Sequence, residues 1–143
     1  FTALAIGGVI GKDIYLVDYL FTRDNTDITL PTCASLLDKW DVKFCRVESN
    51  SMGAMFSRQL DKLTKTRVLQ VHNTKNKITR IIMESAFILN HFYFVNNEQH
   101  NYHQFTQNVE GFSKEGKNKN DDAPDCIAGL SMFIKSLFKR NYE

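Results

Sequence analysis

The chain is short of several things, and each shortage excludes something. It has no run of about 18 apolar residues, so no membrane-spanning helix is expected. The opening run FTALAIGGVIG has no basic n-region, so no secretory signal is expected either. It starts without Met, directly on a strand-like run, which predicts a piece of a longer protein. Cysteine is scarce and odd in number, with only Cys33, Cys45 and Cys126 and no CxxC spacing. That argues against a disulfide scaffold and a thiolate zinc site, and fits a reducing, intracellular compartment. Charge of one sign is lacking too. A net charge of +2 demands no polyanionic partner, although basic residues cluster at 75–80, 114–120 and 135–140.

What remains is a chain of 143 residues, 43% hydrophobic and 12% aromatic, the size and composition of one domain with a real core. Residues 1–10 and 13–22 read as an antiparallel hairpin around the turn GKD. The second run alternates poorly, which predicts cover on both faces. Asp24 to Asp27 form a polar loop, and LPTCASLLDKW (30–40) reads as a helix with Pro31 in its first turn. A strand at 43–49, a helix at 51–63, a strand at 67–72, a helix at 76–90 and an extended piece at 92–95 follow. Met52, Met55, Phe56, Leu60 and Leu63 form the core stripe of the second helix. Residues 96–121 are polar, with a short helix expected within 102–112 and a mobile loop at SKEGKNKN. The last helix is expected from about Ala123 to Arg140. Strands alternating with helices after a hairpin predict an α/β layer fold with a mixed central sheet flanked by helices.

The chemistry gathers on carboxylates. Asp121, Asp122 and Asp125 crowd the mouth of the last helix. One carboxylate there caps backbone N–H groups and suits the helix dipole, but three exceed what a cap needs. Asp122 and Asp125 are three apart, so they share one face of the first turn. Glu48 closes the strand FCRVES, at the strand end where open α/β sheets bind ligands. If the final helix packs beside that strand, Glu48 converges on Asp122 and Asp125. Clustered carboxylates bind hard cations such as Mg²⁺ and Mn²⁺. Two such ions activate water and stabilise the leaving oxygen of a phosphodiester. The plainer readings are a cap or solvated loop for the aspartates and a surface ion pair with Arg46 or a lysine for Glu48. His72 and His91 read as surface or core-edge residues, while His100 and His103 lie in the polar region.

Four stretches carry a resemblance: FTALAIGGVIGKDIYLVDYLFTR, VESNSMG (47–53), HNTKNKITRI (72–81) and DDAPDCIAGL (121–130). In this order and spacing, over nearly the whole chain, they resemble the nuclease domain of the large terminase subunit of tailed bacteriophages. That domain has the ribonuclease H-like fold shared with RuvC-type resolvases. The first stretch looks like the family's second and third strands, the second like its acidic strand end, the third like its spaced Lys and Arg. The fourth looks like its DDxxDA block, with Cys126 where Ala is usual.

The resemblance implies one nuclease domain over residues 1–143, cutting concatemeric viral DNA during genome packaging by two-metal hydrolysis with Mg or Mn. It implies that Glu48, Asp122 and Asp125 are catalytic and that they and Asp121 form the metal set. Which of the three aspartates touches metal stays open, with DxxD spacing favouring Asp122 and Asp125. Lys77 and Arg80 are candidates for phosphate contacts, against a plain solvated helix face. Lys117 and Lys119 in the basic loop would follow the DNA backbone. The family's first acid sits upstream of the position matched by Phe1, so activity is expected to need it. No GxxxxGK[ST] loop occurs, so this stretch is not expected to hydrolyse ATP. The implied partners are double-stranded DNA, an N-terminal ATPase domain in the parent chain, the portal and the small terminase subunit, in the host cytoplasm and without a membrane. The alternatives are a non-catalytic DNA-binding or motor-assembly module and a RuvC-like junction resolvase.

Overall fold

A computed structural model describes residues 2–48, 51–73, 75–94, 107, 109, 110 and 122–142. Their contacts divide the chain into two compact units, one from Ala3–Phe21 with the chain from Lys75 onward, the other from Thr22–Thr74.

In the first unit, β1 (Thr2–Ile10) and β2 (Asp13–Thr22) are neighbours joined by a two-residue turn, so they run antiparallel. Gly11 sits in that turn at φ +63°, where glycine carries no Cβ penalty. On the other side of β2 lies β5 (Phe92–Phe94), parallel to it, with Ile14 opposite Phe92 and Leu16 opposite Phe94. The sheet is therefore mixed, in the order β1-β2-β5. The unit also contains the helices α3 (Lys77–His91) and α4 (Asp122–Tyr142). Ile14, Leu16, Tyr19, Phe21 and Phe92 meet Ala123, Ile127 and Ile134 of α4 in one apolar core. A Cβ on Gly7 would lie 2.9 Å from Ile14 and 3.3 Å from Leu130, so glycine is what lets α4 approach β1 this closely. Residues 18–21 of β2 are all buried, which explains the poor alternation.

The second unit contains α1 (Thr26–Lys39), β3 (Phe44–Glu48), α2 (Ser51–Leu63) and β4 (Arg67–Val71). β3 and β4 pair in parallel, from Phe44 opposite Arg67 to Glu48 opposite Val71. Parallel neighbours need a crossover, and α2 supplies it. Helix α1 begins four residues before the expected Leu30, so Pro31 lies in its second turn rather than its first. The proline gives up one helical N–H donor there. At the other end Asp41 takes φ +48°, and its N–H and that of Val42 return to the carbonyls of Asp38 and Leu37 at 3.1 and 3.0 Å. Leu30, Cys33, Ala34 and Leu37 of α1 are buried, as are Cys45 and Leu60.

Of the segment 102–112, residues 107, 109 and 110 are described and helical. The rest of that segment, the loop SKEGKNKN and Asp121, Lys117, Lys119, His100 and His103 lie outside the described residues. No helix among the described residues is long and apolar enough to cross a membrane.

Candidate active site at the paired helix mouths

Helices α3 and α4 lie side by side, and the residues that pair across them advance together along both helices. Lys77 meets Asp122, Arg80 meets Asp125, Glu84 meets Ser131, and Lys135 lies over the Phe87 ring. The helices therefore run parallel, and both N-termini open at one end of the unit. Lys77, Arg80, Glu84 and Phe87 follow the spacing i, i+3, i+7, i+10, which is one helical face.

The charges along this seam are ordered. At the mouth, α3 supplies cations and α4 supplies anions; about one turn further along α3 and about three turns further along α4 the signs are reversed. Lys77 Nζ lies 3.0 Å from Asp122 Oδ1, and both side chains are 35% exposed. Arg80 Nη2 lies 2.8 Å from Asp125 Oδ1, with the side chains only 7% and 10% exposed. The second guanidinium nitrogen, Nη1, donates to the Lys75 carbonyl at 2.8 Å. Deeper still, Glu84 is buried and accepts from Ser131 Oγ at 2.7 Å and from Lys135 Nζ at 2.9 Å.

The dipoles explain half of this pattern. Asp122 and Asp125 stand in the first turn of α4, where the helix end favours negative charge. Lys77 and Arg80 stand in the first turn of α3, which contains no acidic residue, so they oppose their own dipole. The carboxylates across the seam offset that cost. The Asn76 side chain accepts from the Thr79 amide at 2.8 Å and caps α3.

The predicted site residues fall as follows. Asp122 and Asp125 share the mouth with Lys77 and Arg80. Lys77 is half-open to solvent, but Arg80 is buried and already engaged twice, because Asp125 and the Lys75 carbonyl draw its guanidinium inward. Glu48 is exposed at the end of β3, opposite Val71, in the other unit. Its strand neighbour Arg46 donates to Asn73 Oδ1 at 3.1 Å. His91 ends α3, with Nδ1 3.4 Å from Asp13 Oδ1. Sequence reasoning missed the Glu84–Ser131–Lys135 cluster. Its signal was present: a glutamate within an apolar helical run, and a serine and lysine four apart on the last helix.

As a ligand set, Asp122 and Asp125 offer oxygen donors only, the chemistry of a hard divalent cation. Among the described residues, no three of His, Cys, Asp and Glu form a group that would complete such a site. Among the described residues the same unit also holds a concavity of a different nature. It is an apolar cavity of about 500 Å³ lined by Ile81, Ile88, Leu89, Phe92, Phe94 and Ile127 among others.

Among curated proteins, none matches the chain. A family model does: terminase of bacteriophage T7, ribonuclease H-like domain, over residues 1–92. The match contains Glu48, Lys77 and Arg80 and stops before Asp122. It spans more than half of the 143 residues. This chain therefore belongs to the ribonuclease H-like domain family of the bacteriophage T7 terminase.

Proposed function

We propose that the chain is a metal-dependent endonuclease that cuts double-stranded viral DNA during packaging. Its family is that of a terminase nuclease-like domain. The observation that carries the reading is the mouth of the α3/α4 seam, where two carboxylates on one helix face stand against two cations. Asp122 and Asp125 would hold one divalent cation, and Glu48 would serve a second, with Asp121 as a further donor. Such cations, Mg²⁺ or Mn²⁺, would supply an activated water at neutral pH and positive charge for the leaving oxygen. Arg80 orients the Asp125 carboxylate. Lys117 and Lys119 follow the phosphate backbone, a contact that is independent of sequence and weakened by salt.

The test is plasmid cleavage by the intact protein with Mg²⁺ or Mn²⁺. Glu48→Ala and Asp122→Ala should abolish cutting. If both cut at the parent rate, the assignment is wrong. A second reading draws on the same ion pairs: both aspartates already have cationic partners, which is how a purely structural seam in a DNA-docking or assembly module would look. Thermal shift separates the two. Saturating Mn²⁺ at about 100 times its Kd raises the stability of a metal-binding fold by about 2.7 kcal/mol. A docking module responds to DNA or partner and ignores the metal.

A further inference from the structure

We propose that the start of the β3–β4 sheet, in the second unit, is a docking surface for an acidic segment of another protein that carries an apolar anchor side chain. This goes beyond the nuclease reading and does not depend on it. Glu48 stands at the opposite, carboxyl end of β3.

Two stretches build the surface, one leading from α1 into β3 and one from α2 into β4, and hydrogen bonds lace them together. The Thr64 hydroxyl and the Lys65 amide both donate to Asp38 Oδ1, at 2.6 and 3.2 Å. The Thr66 hydroxyl donates to the Val42 carbonyl at 2.7 Å, and the Arg67 amide to the Lys43 carbonyl at 3.1 Å. Phe44 and Arg67 then face each other as the first pair of the parallel ladder. The backbone is therefore set before any partner arrives, which lowers the ordering cost of binding.

The side chains here are of two kinds. Lys39, Lys43, Lys62, Lys65 and Arg67 are all exposed. The same stretches hold Trp40, Phe44 and Leu63 open to water, at 41%, 39% and 53%. The plain reading of Lys39 and Lys62 is that they complement the carboxyl ends of α1 and α2, whose last turns contain them. That reading does not reach Lys43, Lys65 and Arg67, which lie beyond those turns, nor the apolar side chains. A single exposed apolar residue is ordinary. A tryptophan among lysines and an arginine has the composition of a protein-binding hot spot with a charged rim.

Charge decides the partner. The five cations outnumber Asp38, Asp41 and Asp61, the acids of these stretches, so the excess is positive and steers an acidic surface inward. Nucleic acid fits less well. It is held by neutralising successive phosphates, and here aspartates interrupt the cations. Base stacking needs an open ring face, and the Lys39 ammonium already lies over the Trp40 ring, 5.3 Å from its centroid. A polypeptide with carboxylates beside one apolar anchor meets both features of the surface.

The experiment is fluorescence anisotropy on the intact protein with labelled probes. They are a glutamate-rich peptide with a central leucine, the same peptide with serine at its centre, and single- and double-stranded DNA oligonucleotides. The leucine peptide should bind, and Lys43→Glu should weaken it about threefold or more, because attraction at the rim becomes repulsion. Trp40→Ser should weaken it about tenfold. Lys12→Glu makes the same change of net charge in the exposed β1–β2 turn and should leave the affinity unchanged. Urea unfolding checks that each variant is folded, and Lys43→Gln, with a smaller loss expected, carries the test if Lys43→Glu is not. No binding of the leucine peptide, equal binding of the serine peptide, or an equal loss in Lys12→Glu overturns the proposal. A DNA affinity that falls in Lys43→Glu and Trp40→Ser while peptide affinity stands assigns the surface to nucleic acid and overturns it too. So does a dimer, seen by sedimentation, that these variants abolish, since the occupant is then a second copy.

Discussion

Replacing Arg80 by Met tests the difference between the two ion pairs at the seam mouth. The methionine keeps an apolar stem about as long as the arginine's methylenes and removes the guanidinium. In the parent, the guanidinium bridges Asp125 at 2.8 Å and the Lys75 carbonyl at 2.8 Å, inside a pocket that leaves the two side chains 7% and 10% exposed. The substitution leaves a nearly buried carboxylate without the cation opposite it. Breaking one side of such a pair costs about 3–5 kcal/mol. For a chain of this size that lowers Tm by roughly 8–16 °C. Lys77→Met removes a 3.0 Å contact in a more open setting, so it should cost under about 1 kcal/mol. The assay is urea unfolding of Arg80→Met, Lys77→Met and Asp125→Leu, with the double variant Arg80→Met/Asp125→Leu closing a double-mutant cycle on the buried pair. The double variant should recover much of the loss, because two apolar groups suit a closed site, and the coupling should reach about 2–3 kcal/mol. If Arg80→Met costs no more than Lys77→Met, burial does not distinguish the pairs and the positioning role of Arg80 fails.

Three further outcomes are expected. Ser131→Ala removes the 2.7 Å donor to buried Glu84 and should destabilise the protein by about 1.5–3 kcal/mol in the same unfolding assay. In the second unit, the Thr64 hydroxyl, then the Lys65 amide, hold the exposed Asp38 carboxyl below its usual range. A folded pKa below the unfolded one adds stability at neutral pH that is lost as pH falls through the folded value. NMR titration of Thr64→Val should therefore show Asp38 rising toward an ordinary aspartate. Burial, with Cys45 adding to it, pushes the Cys33 thiol up to about 12, and burial takes Cys45 to about 11. Both should resist alkylation in the native protein at pH 8, while the partly exposed Cys126 reacts first, as peptide mass mapping would show. Since both folded values are raised, their contribution is complete below the usual thiol range and declines as pH climbs toward about 11 and 12.

The elements were legible because their cues are local. The helix expected at 51–63 is α2, Ser51–Leu63, and the strand expected at 67–72 is β4, Arg67–Val71. Apolar spacing announces both. The start of α1 was misjudged because Thr26 and Asp27 read as loop and because Pro31 is best suited to a first turn, whereas the helix carries it one turn later at the cost of a backbone hydrogen bond. Thr29 helps the earlier start: its hydroxyl bonds the Asn25 carbonyl at 3.0 Å and its amide the same oxygen at 2.9 Å.

The sequence by itself determined the order of elements, the hairpin turn, and the placing of Asp122 and Asp125 on one helical face, since each depends on residues a few positions apart. Only the tertiary structure decided that β5 joins β2 in parallel, that α4 runs parallel to α3, and that the lysine and arginine of one meet the aspartates of the other. Those pairings join residues 45 positions apart in the chain. Which partner a charge finds over such a span is settled by how the helices pack on the shared core, and no local spacing encodes it.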